Sequence, residues 1–211
     1  MPSPGRDEVA GQVSQKGKPT VQLTRIKTRT VGSSVQTYTY DAAGRSLGYT
    51  GSASLTYEYP DATHVTETPQ ASGIIHHELN NKGLAVKSIV SYGQILNTYN
   101  PKKQMETQSI QDNSGALQTT TFSYVNGNVD KITSVNNFGS ADNPQTFTYY
   151  DKPNVLDNDV FGESFRGVGS KDLVKTRTID VLGTIYVEYY TYEFDSQGRI
   201  TKVKRDFNGT P

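Results

Sequence analysis

His64, His76 and His77 are the only histidines in the chain. Imidazole is the side chain best suited to proton transfer and metal binding near neutral pH. His76 and His77 are adjacent, and neighbours on a strand point to opposite faces, so the pair is not expected to chelate one ion. No carboxylate spacing completes a site around His64. Asp157, Asp159 and Glu163 alternate oxygen donors around Gly162, a pattern close to a calcium loop. Phe161 stands where the fifth-position ligand belongs, and Val168 replaces the Glu required at the twelfth. A solvated turn is the expected reading there, and neither a metal nor a cofactor is expected.

Catalysis has equally little to stand on. With no Cys, the chain has no thiolate nucleophile, zinc thiolate or disulfide. It has no Gly-x-Ser-x-Gly elbow, no His-Glu-x-x-His and no phosphate loop. Glycosidase carboxylates can pair at a distance in sequence, and 21 Asp and Glu offer no pair to choose. No catalytic residue is assigned, and the chain is expected not to be an enzyme.

The binding chemistry on offer is aromatic and cationic. Tyr186, Tyr190, Tyr192 and Phe194 share one face of a strand, with Tyr189 on the other. Aromatic faces stack on sugar rings, and tyrosine hydroxyls bond to sugar hydroxyls. The alternative is that these rings are cross-strand packing pairs. Arg25, Lys27 and Arg29 form a basic row, and Lys202 and Lys204 a shorter one. If the sheet closes, the two rows would lie side by side and form a cationic strip for an acidic glycan or phospholipid headgroups. The alternative is a charged surface that resists aggregation. Lys+Arg and Asp+Glu are both 21, so the net charge is zero. No global field recruits nucleic acid, and none is expected as a partner.

These side chains must be positioned by strands. Tyr38-Thr39-Tyr40-Asp41-Ala42-Ala43-Gly44-Arg45 is matched near the C-terminus by Tyr192-Glu193-Phe194-Asp195-Ser196-Gln197-Gly198-Arg199. Degenerate copies surround Asn80 and Gly83, Asn100 and Lys103, and Asn126 and Gly127. A further one, Phe147 to Asp151, keeps the strand end and changes the turn. Each copy reads as a hairpin. Aromatic and polar residues alternate on the strand. Asp or Asn then starts a type I turn by bonding the backbone two residues on. Gly at the left-handed position closes a bulged hairpin. Gly44, Gly83 and Gly198 are therefore expected at positive φ.

About fifteen strands fit between residues 20 and 207, mostly joined by short turns. The one break, residues 151–172, is rich in Pro, Asn, Asp and Gly. Phe161 and Phe165 would anchor it as a packed loop or one short helix, and a ligand-lining loop is the alternative. Hydrophobic residues make up only 33%, yet 14 Tyr with 9 Pro favour thin, half-wet sheets over disorder. The expected fold is all-β: an antiparallel meander of repeated hairpins curling into a soluble barrel or strongly bent sheet. Residues 1–19 read as a flexible leader without the apolar core of a signal peptide. Residues 20–207 form a single domain, and 208–211 a tail. No apolar run approaches the about 20 residues of a membrane helix. In residues 21–31, one face carries Arg25, Lys27 and Arg29 and the other Gln22, Thr24, Thr28 and Thr30, so neither suits lipid.

The Tyr-x-Tyr-Asp-x-x-Gly-Arg units resemble the YD repeats of Rhs-type bacterial surface proteins. The chain is more closely similar to a domain of unknown function with a porin-like fold in lipoproteins of Bacteroides-type bacteria. The repeated hairpins carry this, together with Tyr57-Glu58-Tyr59-Pro60-Asp61 leading to Thr63–Glu67, and Tyr149-Tyr150-Asp151-Lys152-Pro153-Asn154 opening the break. The resemblance spans residues 20–207. It implies a periplasmic or cell-surface location, with lipid anchoring of the natural precursor, and brings no catalytic motif. The expected function is a non-enzymatic envelope or cell-surface binding module. Its expected partner is a polysaccharide or an envelope protein, and its ligand-binding residues are Tyr186, Tyr190, Tyr192 and Phe194. The alternative is a structural or assembly protein of the envelope with no small-molecule ligand.

Overall fold

The computed structural model describes residues 25–31, 34–137 and 141–208. The leader assigned to residues 1–19 and positions 209–211 of the assigned tail lie outside the described residues. The strands are β1 (Thr28–Val31), β2 (Ser34–Tyr40), β3 (Ser46–Thr50), β4 (Leu55–Asp61), β5 (His64–Pro69), β6 (Ile75–Leu79), β7 (Ala85–Val90) and β8 (Gly93–Tyr99). They continue as β9 (Met105–Asp112), β10 (Leu117–Val125), β11 (Asn128–Asn136), β12 (Ala141–Pro153), β13 (Asp172–Val181), β14 (Thr184–Phe194) and β15 (Ile200–Asn208). All fifteen pair in chain order in one antiparallel sheet. The fold is thus the all-β meander that the alternation implies. Among the described residues the sole helical turn is a 3-10 turn, Ser164–Arg166, inside the break. β1 and β15 run in the same direction and do not pair among the described residues. A wholly antiparallel closure needs an even number of strands.

The hairpin repeat is a repeated side-chain geometry. Asp41 Oδ1 accepts from the amides of Ala43 and Arg45. The same pair of bonds, to the second and fourth residues on, recurs at Asn80, Asn100, Asp112 and Asp195. Gly44, Gly83, Gly115 and Gly198 take positive φ at the fourth position; in the Asn100 turn Lys103 does so at φ 64°. The Asp112 turn is a copy the sequence reading overlooked. The Asn126 copy is a different hairpin: Asn126 and Gly127 both have positive φ between the paired residues Val125 and Asn128. Register shifts fall just before Tyr40, Leu79, Tyr99 and Phe194, at four of these turns. Such bulges bend strands and increase twist.

Residues 154–171 leave the sheet and cross its inner face. Phe161 packs on Tyr38 of β2, and Phe165 on Tyr57 of β4 and His77 of β6. The Lys171 amide reaches the Gly127 carbonyl at the start of β11. From β2 to β11 a flat sheet would span roughly 43 Å at about 4.8 Å per strand. Ten residues reach at most about 35 Å, and this stretch contains a 3-10 turn. The sheet must therefore bend around the segment, which acts as a plug. Gly162 marks its closest approach. A Cβ there would lie 2.6 Å from the Ser46 nitrogen and 2.8 Å from the Gly44 carbonyl oxygen, at φ +71°. The core sits on this side: Leu55, Tyr57, Val65 and Ala85 bury against Phe165 from the plug.

Candidate functional site

Six tyrosines on even-numbered strands form a row on the inner face. Tyr40, Tyr59, Tyr99, Tyr124, Tyr149 and Tyr192 donate to the carbonyls of Ile26, Ser46, Ala85, Met105, Val129 and Val174. Each acceptor lies near the start of the preceding strand or just before it. The even-strand position without a tyrosine in this row is on β6, which ends at Leu79. Burial is the main reason why the hydroxyls of Tyr59, Tyr99, Tyr124 and Tyr192 are pushed up to about 12.

On β5–β7 the same face carries a polar network. Glu67 Oε2 accepts from Arg166 Nη2 at 2.6 Å and lies 3.1 Å from His77 Nε2. His77 Nδ1 lies 2.8 Å from Ser88 Oγ. Arg166, supplied by the plug, also donates to Glu163 and to the Tyr57 hydroxyl. Burial pushes the Glu67 carboxyl up. The His77 hydrogen bond, the Arg166 charge and the remaining contacts to both outweigh this and hold it below its ordinary value. An ionised carboxylate only accepts, so Nε2 carries the imidazole proton, and in the neutral ring Nδ1 accepts from the Ser88 hydroxyl. The opposite-face expectation for the two histidines holds: His77 is buried, while His76 is exposed beside Thr66. His64 is exposed beside Asp61 and Thr63.

The network borders a cavity of about 330 Å³ between β5–β9 and the plug. Ile75, Ile95, Met105 and Phe165 line it together with Asn97 and Gln108. From there polar side chains continue across the inner face. Asn97 opposes Gln108, Gln108 opposes Thr120, and Thr120 opposes Ser134 on successive strands. Gln108 donates to Asn97, and the hydroxyls of Thr120 and Ser134 lie 2.8 Å apart. Farther on, Arg177 donates to Gln145 and Glu188. On the outer face Thr98, Thr107, Thr121 and Thr133 are directly opposed on β8–β11, and Leu96, Leu117 and Val135 are exposed on the same face.

The four aromatic residues read from the sequence lie on the inner face of β14, beyond this polar row. Tyr186, Tyr190 and Tyr192 are half-buried, and Phe194 is 36% exposed. Tyr190 donates to Glu188 Oε2 at 2.6 Å. Tyr192 meets Tyr150 edge-on with centroids 5.9 Å apart, and the Tyr150 hydroxyl reaches the Tyr190 carbonyl. Lys152 Nζ sits 4.3 Å from the Phe194 ring centroid. Tyr189 is on the opposite face, 40% exposed. Glu188, 2% exposed, lies between Tyr186 and Tyr190. The period-two pattern already placed this carboxylate on the aromatic face, and the sequence reading passed over it. The Glu67–His77–Ser88 set was missed for a different reason: it needs the cross-strand register Glu67 to Ile75 and His77 to Ser88, which no local motif announces.

The basic rows are used differently from the strip considered above. Among the described residues β1 and β15 are not neighbours. The Arg25 guanidinium bonds the Asp159 carbonyl and so fastens the plug. Lys202 and Lys204 pair with Glu193 and Asp206. The calcium-like segment is a set of plug turns: Asp157 Oδ1 accepts from the amides of Asn158 and Gly169, and Glu163 pairs with Arg166.

No family model matches the chain, and no curated protein matches it. Among solved structures it is similar to a porin-like protein from Bacteroides uniformis. The TM-score is 0.64 at 19% identity, covering 85% of this chain and 92% of that one. It is also similar to a porin-like protein from Bacteroides vulgatus. There the TM-score is 0.61 at 13% identity, covering 88% of this chain and 94% of that one. The chain therefore shares the fold of these porin-like proteins. Among the described residues no helix is long and apolar enough to cross a membrane.

Proposed function

We propose that this chain is a non-enzymatic binding module of the bacterial envelope. Its ligand is a polysaccharide laid along the inner face toward β14. One observation carries the reading: Tyr186, Tyr190, Tyr192 and Phe194 keep ring surface open on the same inner face that carries a row of neutral amides and hydroxyls across β8–β11. A purely structural envelope protein would bury such rings, because exposed aromatic surface carries a hydration cost that packing removes. Stacking on ring faces, with hydrogen bonds from neutral polar groups, suits a sugar polymer. The threonine row that crosses the outer face of β8–β11 supports a sheet in water, since a membrane barrel presents an unbroken apolar outer band about 25 Å tall. The shared fold with Bacteroides porin-like proteins supports a periplasmic or cell-surface location, and a lipid anchor on the precursor goes with it.

The hydrogen-bond order Glu67–His77–Ser88 has the form of an acyl-transfer triad. Two features favour a structural role. Arg166 already neutralises Glu67, and Ser88 is only 3% exposed. A fluorophosphonate probe is expected to leave Ser88 unlabelled; labelling there would reverse the non-enzymatic reading. The binding reading is tested on an array of plant, host and bacterial glycans, followed by calorimetry. Tyr190→Ala is expected to weaken any hit at least about tenfold, or 1.4 kcal/mol. An array without binding would leave the structural role as the better account.

A further inference from the structure

The cavity beside the plug differs in kind from the open aromatic face on β14. Its volume, about 330 Å³, lies at the lower end of the roughly 300–1,000 Å³ of small-molecule sites. That is room for about ten waters at roughly 30 Å³ each, enough for one sugar unit and not for a folded-back chain. Ile75, Ile95, Met105 and Phe165 give it an apolar wall. Its charged lining residues, Glu67 and Arg166, pair with each other at 2.6 Å. The cavity therefore offers a neutral ligand no uncompensated charge.

Hydrogen-bonding capacity stays open inside it. Gln108 uses Nε2 on Asn97, and its Oε1 has no partner among the described residues. Asn97 donates to the Ala85 carbonyl and also reaches the Tyr99 hydroxyl, and its Oδ1, which accepts from Gln108, keeps a second lone pair. These groups suit hydroxyls or an amide on a ring whose face rests against apolar side chains.

The two ends of the cavity are unlike. On one side Asn158, Phe165 and Arg166 of the plug form the wall. On the other, Asn97 and Gln108 are also the first members of the polar row that leads through Thr120 and Ser134 toward the aromatic face. A polymer lying along the row would meet the cavity with the plug residues Asn158, Phe165 and Arg166 as a wall.

We infer that this cavity receives the terminal, uncharged sugar unit of a polysaccharide chain, making the protein a reader of chain ends; this rests on the glycan reading above. The plug is then the stop that selects an end over the middle of a chain, and Gln108 and Asn97 are the residues that orient the terminal ring.

The test uses neutral hexasaccharides of the cello, xylo, manno and chito series, each with its monosaccharide as competitor. Gln108→Trp fills the cavity from a residue with one side-chain bond. Because the chain has no Trp, its emission also reports whether the native site has formed. The wild type is expected to bind at least one hexasaccharide and to release it to the matching monosaccharide. Gln108→Trp is expected to lose at least tenfold in affinity and all monosaccharide competition. If that variant does not fold, Gln108→Ala, which adds no bulk, is expected to lose several-fold. Wild-type binding by whichever Gln108 variant folds, with binding still weakened by Tyr190→Ala, would overturn chain-end capture and leave the inner-face reading standing. No binding of any hexasaccharide by the wild type would overturn both.

Discussion

Glu67 shows how one side chain ties the plug to the sheet. It is buried, accepts from Arg166 of the plug and contacts His77 of β6. Its folded pKa lies below the ordinary 4.5, so its contribution to stability is present above about pH 4.5 and is lost as pH falls through the folded value. Glu67→Gln is expected to cost about 2–3 kcal/mol at pH 7, in the range of hydrogen bonds to charged groups. The gap between variant and wild type should close on acidification. Urea unfolding at pH 7 and pH 3 measures both, and an equal gap at the two pH values would contradict the assignment. Phe165 is the apolar counterpart, packed on Tyr57 and His77. Phe165→Ala should cost about 3–5 kcal/mol by the usual cavity penalty, readable in the same experiment.

The element that recurs is a hairpin whose turn is built by an Asp or Asn side chain and whose strand is fastened by a tyrosine. Lys103 is the exception that tests the turn. It holds φ 64° where the other four turns have Gly, and the left-handed region costs a side-chain-bearing residue roughly 1–2 kcal/mol. Glycine relieves that cost and gives part back as unfolded-state entropy, so Lys103→Gly should stabilise by about 0.5–1 kcal/mol. Gly198→Val runs the other way and should destabilise by about 1 kcal/mol or more. Thermal or chemical melts of the two variants check the pair. For the tyrosines the sign is that of a raised pKa. The neutral hydroxyls are favoured in the fold, so their stabilisation is complete below pH 10 and lost as pH rises through about 12. Spectrophotometric titration should show a late-ionising class accompanied by loss of β-sheet signal. Ionisation of all tyrosines near pH 10 with the sheet intact would contradict the row.

At the scale of the molecule, stability is uneven. Buried apolar residues gather on β4–β7 with the plug, while β15 is exposed along nearly all its length and pairs on one side only among the described residues. Hydrogen exchange is expected to be slowest on β4–β7 and fastest on β15, because local opening costs least where few apolar contacts are lost. Uniform protection would show a sheet closed by contacts beyond those described.

What the sequence determined by itself is local. Period-two alternation set the strands, and the spacing of Asp41, Asn80 and Asp195 to their glycines set the turns, because both are fixed by backbone sterics and by hydrogen bonds within a few residues. It also placed Tyr186, Tyr190, Tyr192 and Phe194 on one face. Which face is inner was decided by the plug, whose Phe161, Phe165 and Arg166 give the sheet something to wrap around. The roles of the tyrosines were decided there too. Tyr192 uses its hydroxyl on the Val174 carbonyl and Tyr190 on Glu188, leaving mainly ring surface for a ligand. The network of Glu67, His77, Ser88 and Arg166 depends on register across three strands and on a loop residue far along the chain. Bonds of that range depend on how the sheet bends, and no local spacing encodes the bend.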